Sequence, residues 1–193
     1  MISKSFAMAV VVVLAAACSS PGNPDLGPPA LPPHTQRAVL DFLDEGSTLA
    51  FDPATISYLK VRETSDHQCL ALEGLDANGG SFAGILALSQ RPDGLWVIDG
   101  ASWGSGPTSP DLGIDEPRAH LAGGWNDNFC LGSWIYDPSA AVATVRLVSG
   151  DSLLAEDTVD NGVVVLVGVL PQGSTPMVEL YDIAGNLLAR HSP

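Results

Sequence analysis

Positive charge is scarce in this 193-residue chain: eight Lys and Arg stand against 22 Asp and Glu, for a formal net charge of −14. A surface of that sign repels phosphate backbones and anionic headgroups, which excludes nucleic acid as a partner and purely electrostatic membrane docking. Histidine is also sparse, and the four at 34, 67, 120 and 191 show no metal-ligand spacing. The longest uninterrupted apolar run, residues 6–17, is twelve residues. As a helix it rises about 18 Å, too short for a hydrocarbon core of about 30 Å. No 30-residue βαβ rhythm is visible, and no internal repeat stands out. Disorder is excluded too, because 46% of residues are hydrophobic.

What the chain does have begins at its first residues, MISKSFAMAVVVVLAAAC. One basic residue, Lys4, precedes the apolar run, and small residues follow it, the pattern of an export signal. The ending Leu14-Ala15-Ala16-Ala17-Cys18 resembles the lipobox of bacterial lipoproteins. That resemblance implies cleavage before Cys18, a thioether-linked diacylglycerol on its sulfur, and an address on the extracytoplasmic side of a membrane. Leu14 stands one place earlier than the lipobox leucine, and Ala15 with Ala17 also satisfies the small-x-small rule of ordinary signal peptidase cleavage. The alternative is therefore a freely secreted chain starting at the same cysteine.

If Cys18 is acylated, the remaining two cysteines, Cys69 and Cys130, form an even pair in a disulfide-permissive compartment. A disulfide between them is expected; two separate buried thiols are the alternative. Residues 19–33, SSPGNPDLGPPALPP, hold six prolines in fifteen positions and little to bury. Such a stretch favours polyproline II and reads as a stiff tether of about 45 Å. The organisation is thus a signal peptide over 1–17, a lipidated cysteine and tether over 18–33, and an exported domain over 34–193. Asp137-Pro138 is a conceivable divide between subdomains 34–136 and 137–193. Without Lys4, seven basic side chains face 22 acidic ones, a formal charge of −15.

The domain opens with its one credible helix: Thr35 is a candidate cap, Val39, Leu40, Phe42 and Leu43 form an apolar stripe, and Gly46 can stop it. After Pro53 the pattern changes to short apolar runs separated by turn residues. Runs at 56–62, 67–75, 82–88, 95–98, 129–136, 142–148, 152–159, 163–170, 177–182 and 186–190 read as strands. Runs 82–88 and 95–98 are apolar on both faces and suit strands covered on both sides. Asp76-Ala77-Asn78-Gly79-Gly80, Asp160-Asn161-Gly162 and Asp182-Ile183-Ala184-Gly185-Asn186 are hairpin turns by composition. The expected fold is mainly β, an antiparallel sandwich or barrel-like domain with one short N-terminal helix.

One catalytic pattern occurs. Gly100-Ala101-Ser102-Trp103-Gly104 matches G-x-S-x-G, the nucleophile elbow of α/β-hydrolases, where serine sits on a turn from strand to helix. A secreted serine hydrolase using Ser102, with His120 or His191 as base and Asp137 or Asp182 orienting it, is the enzymatic alternative. Ser105-Gly106-Pro107-Thr108-Ser109-Pro110 follows where that helix should start, so no catalytic residue is assigned. Asp111, Asp115 and Glu116 place carboxylates in one loop as a weak calcium alternative, without EF-hand spacing.

Residues 104–120 read as a long connection without structure, and such loops are often functional. Trp103 precedes it, and Trp125, Asn126 and Asp127 follow. Indoles beside Asn and Asp suit a sugar- or peptide-binding face; the other reading makes all four tryptophans core fillers. The sequence therefore points to a lipid-anchored envelope or surface protein, a non-catalytic binding or structural module. It would need no cofactor, and its partners would be a membrane through the lipid and an envelope protein or glycan.

Overall fold

Twelve strands and one helix build the domain in a computed structural model that describes residues 31–46, 51–105, 116–119, 121–125, 128–137, 139 and 141–193. The fold is mainly β, and its strands form three antiparallel sheets, none closed into a barrel. The signal-like segment, Cys18 and the tether to residue 30 lie outside the described residues.

Helix α1 (Pro33–Gly46) starts at a proline, whose fixed φ suits the first helical turn. Thr35, expected as its cap, instead lies inside the helix, fully buried, and donates to Gln68 Oε1 at 3.1 Å. Val39 and Leu43, one helical turn apart, are buried against the first sheet.

That sheet is a meander of β1 (Ser57–Glu63), β2 (His67–Leu75), β3 (Ser81–Gln90) and β4 (Trp96–Ser105). Alternate residues on β2 and β3 serve opposite cores. Leu70, Leu72, Phe82, Leu86 and Leu88 pack toward α1, while Cys69, Ala71, Ile85 and Ala87 pack toward the second sheet. This explains the two-faced apolar run at 82–88. Strand β4 runs well past the expected 95–98, through the glycines that disguised it.

The second sheet contains β5 (Arg118–Ala119), β6 (Ala122–Trp125), β7 (Asn128–Tyr136) and β10 (Val163–Val169). Its middle strands are also buried twice over: Val163, Val165 and Cys130 meet the first sheet, and Val164, Leu166, Phe129 and Leu131 meet the third. The third sheet, ordered β12-β11-β8-β9, is made of β8 (Thr144–Ser149), β9 (Ser152–Thr158), β11 (Pro176–Tyr181) and β12 (Leu187–His191). The layers thus stack as helix, sheet, sheet, sheet. Strand β10 comes after Asp137 and pairs along its whole length with β7, which comes before it, so the two halves of the chain share a sheet.

Two devices hold the stack. The first is covalent: Cys69 of β2 and Cys130 of β7 form a disulfide between the first and second sheets, with Cα atoms 5.4 Å apart. Close approach there also needs Gly132, because a Cβ at that position would lie 2.0 Å from Ile85 Cδ1.

The second device is ionic. A β-bulge at Leu59 shifts the register so that Lys60 opposes Ala71 and Arg62 opposes Cys69. Were Leu59 paired in regular register, Lys60 would oppose Leu70 and point into the apolar helix-side core. With it, Lys60 Nζ reaches Asp157 Oδ2 at 2.9 Å and Asp160 Oδ2 at 2.6 Å, and donates to the Thr158 carbonyl. Arg62 Nε donates to Asp157 Oδ1 at 2.9 Å, and Asp157 Oδ2 accepts the Val165 amide of β10 at 2.8 Å. One buried carboxylate therefore touches all three sheets.

Candidate functional site

The first and second sheets part at one end and leave a cavity of about 590 Å³. Its walls come from the β1–β2 turn, the ends of β3 and β10, the middle of β4, and the start of β7. The floor is apolar, made by Ala87, Val167 and Cys130.

The polar rim follows from local rules. The β1–β2 turn closes with the Thr64 amide donating to the His67 carbonyl at 2.8 Å. His67 opens β2 on the same face as Cys69 and Ala71, so its ring is directed toward the second sheet. Asp66 Oδ1 lies 2.8 Å from His67 Nδ1 and accepts from Ser65 Oγ at 3.1 Å. The hydrogen bond from His67 first, then that from Ser65, holds the Asp66 carboxyl below its ordinary value. His67 Nε2 lies 3.4 Å from Asn128 Nδ2 at the head of β7. The tautomer that satisfies both contacts carries its proton on Nδ1. Asp99 is the extra residue of a second bulge, between the pairs Ala87–Gly100 and Leu88–Ile98, and it too lines the cavity. Bulges of this kind re-aim a side chain.

His67 Nδ1 thus engages Asp66 and Nε2 faces Asn128 of β7, which makes the ring a tie between two sheets. Among the described residues the cavity combines an apolar floor with two rim carboxylates, and neither Lys nor Arg lines it.

The residues singled out by sequence are distributed elsewhere. Ser102 lies within β4, opposite Ile85 in a regular antiparallel pair, and the strand-to-helix turn of a nucleophile elbow is missing at this position. His191 is on β12, where its Nε2 accepts the Ala119 amide at 3.4 Å. Asp137 and Asp182, the proposed orienting acids, are turn acceptors. Asp137 takes the Val142 amide at 2.6 Å and the Ser139 hydroxyl at 2.7 Å, while Asp182 takes the Asn186 amide at 2.8 Å. His120 lies outside the described residues.

Trp103 belongs to the helix-side core, with ring centroids 5.5 Å from both Phe42 and Phe51. It does not line the cavity. Trp96 is buried in the same core, where His34 stacks on it, and Trp134 packs between the first two sheets. Asn126, Asp127, Asp111 and Asp115 lie outside the described residues, as does the side chain of Trp125; Glu116 is exposed. Among the described residues no cluster of three or more His, Cys, Asp or Glu is arranged to hold a metal ion.

Sequence reasoning missed Asp66, His67, Asp99 and Asn128 as neighbours. The polar triplet Ser65-Asp66-His67 at the head of an apolar run was a visible signal. The approach of Asp99 and Asn128 was not, because it depends on a bulge and on how two sheets stack. Comparison of the chain with protein-family models, curated proteins and solved structures finds no match.

Proposed function

We propose that this chain is an exported lipoprotein, anchored by acyl groups on Cys18, whose β-domain serves as a non-catalytic binding or structural module on the extracytoplasmic side of a membrane. The observation that supports it best is the Cys69–Cys130 disulfide between two sheets. Disulfides persist in oxidising compartments, which agrees with an export signal. The pair also uses two of the three cysteines, leaving Cys18 at the end of the lipobox-like stretch as the third. The cavity supports binding rather than turnover, and an envelope protein or glycan remains the class of partner.

Intact mass spectrometry of the protein produced in a bacterial host tests this reading. The expected species begins at Cys18, carries diacylglycerol and acyl mass, and lacks the hydrogens of one dithiol. It should fractionate with membranes, and Cys18→Ser should release it. An unmodified, water-soluble product that begins at any residue would sink the proposal.

A further inference from the structure

The geometry points to a ligand class for the cavity at the open end of the first two sheets: a small organic cation with an apolar body, such as an arylalkyl ammonium ion. This inference rests on reading the domain as a binding module, and it is independent of the lipid.

The size suits a small molecule, since about 590 Å³ lies inside the range of ordinary ligand pockets. The floor of Ala87, Val167 and Cys130 offers apolar surface but no ionic partner. The charges sit on the rim and share one sign. Asp66 arrives from the β1–β2 turn and Asp99 from the bulge within β4, and both line one opening. Asp66 shares its carboxylate only with His67 and Ser65, and its side chain is 62% exposed. Asp99 has no ion-pair partner among the described residues.

The contrast with the rest of the molecule is informative. Where this chain buries charge for architecture it neutralises it, as Lys60 and Arg62 do for Asp157 and Asp160. At the cavity mouth Asp99 has no basic partner among the described residues, and Asp66 has only the His67 imidazole. An ammonium group would supply the missing charge while its apolar part covers the floor. A formal net charge of −14 further concentrates cations near the opening. Anions meet the opposite field, and a neutral analogue fills the floor without engaging the rim.

The test uses the full chain as purified in an uncharged detergent, titrated calorimetrically with three probes of matched shape: 3-phenylpropylammonium, 3-phenylpropanol and 3-phenylpropanoate. The expected order is cation, then neutral, then anion, with about tenfold between the first two. Asp99→Asn and Asp66→Asn should each weaken the cation about threefold and leave the neutral probe unchanged. Ser65→Lys, which places a competing ammonium on the rim, should abolish cation binding. Asp151→Asn, on an exposed turn of the third sheet, removes the same charge elsewhere and should change nothing.

Equal affinity for the three probes, no saturable binding of the cation, or an effect of Asp151→Asn equal to that of Asp99→Asn would each overturn the assignment. Those failures differ from failure of the lipoprotein reading, which shows in the mass at Cys18 whatever the titration gives.

Discussion

Lys60 and Asp157 meet between the first and third sheets, with the ammonium 2.9 Å from a carboxylate whose side chain has no solvent exposure. Lys60 is brought there by a bulge, and Asp157 also closes the edge of the middle sheet by accepting the Val165 amide. Removing one partner strands the other charge. Asp157→Ala should cost about 3–5 kcal/mol, the range for breaking a buried pair. Lys60→Met with Asp157→Leu should cost less than the two single changes summed, because neither charge is then left alone. Urea unfolding of the four species checks both statements; additive losses would mean the pair is not coupled.

The disulfide spans 61 positions of sequence. On a chain-entropy account, closing a loop of that length removes about 4 kcal/mol of unfolded-state freedom. Cys69→Ser with Cys130→Ser should therefore lower the melting temperature by about 8–16 °C for a domain of this size. Scanning calorimetry of that variant beside the oxidised protein gives the answer, and an unchanged transition would remove the disulfide from the list of stabilising features.

Gly132 faces Ile85 with no room between them. Gly132→Ala should destabilise by about 1–3 kcal/mol through overpacking. Ile85→Ala in the same chain should restore part of the loss, since the obstructing atoms are Ile85 Cδ1 and Cγ1. Absence of rescue would show that the glycine is needed for its backbone and not for the gap.

Acid should weaken the fold through its turns. At Asp137 burial pushes the carboxyl up, but hydrogen bonds from Val142, Ser139 and Ala141 outweigh it, and the net value falls below the ordinary 3.8. Asp182 is lowered chiefly by the Asn186 side chain and then by the Asn186 amide. A carboxyl depressed in the folded state contributes stability above its unfolded value, and that contribution is lost as pH falls through the folded one. Stability measured from pH 5 downward should thus decline less steeply in Asp137→Asn than in the parent. Parallel curves would show that this turn does not titrate with folding.

Fluorophosphonate labelling offers a further check on Ser102. A serine in the body of an antiparallel strand has no elbow to raise its nucleophilicity, so no covalent adduct is expected. Labelling lost in Ser102→Ala would reverse the preference for a non-catalytic module.

Much of the architecture was legible because it depends on local chemistry. Asp182 and Gly185 close the last hairpin, with Gly185 at φ 83°. Asn161 and Gly162 both adopt positive φ between β9 and β10, as their residue types suggest. The run at 82–88 announced burial on two sides and has it. Legibility failed where partners decide. Gly100 and Gly104 concealed β4, whose length follows from its pairing with β3. Gly123 and Gly124 concealed β6, which exists by pairing with β7. The Leu59 bulge has no sequence mark of its own; it shows only in which way Lys60 must turn. The candidate site failed for the same reason, since its rim is gathered from a turn, the starts of β2 and β7 and a bulge inside β4, which no spacing connects.

Helix α1 stands at one end of the stack and the third sheet at the other, and Leu31, just before the helix, is already buried on the helix side. A protein hung by its N-terminal end would feel a pull first at that helix. Among the described residues, side-chain packing and the Thr35–Gln68 bond resist there, and the helix pairs with no strand. Under tension the helix should peel while the sheets behind it keep their shape, so the first layer would act as a mechanical fuse for the other three.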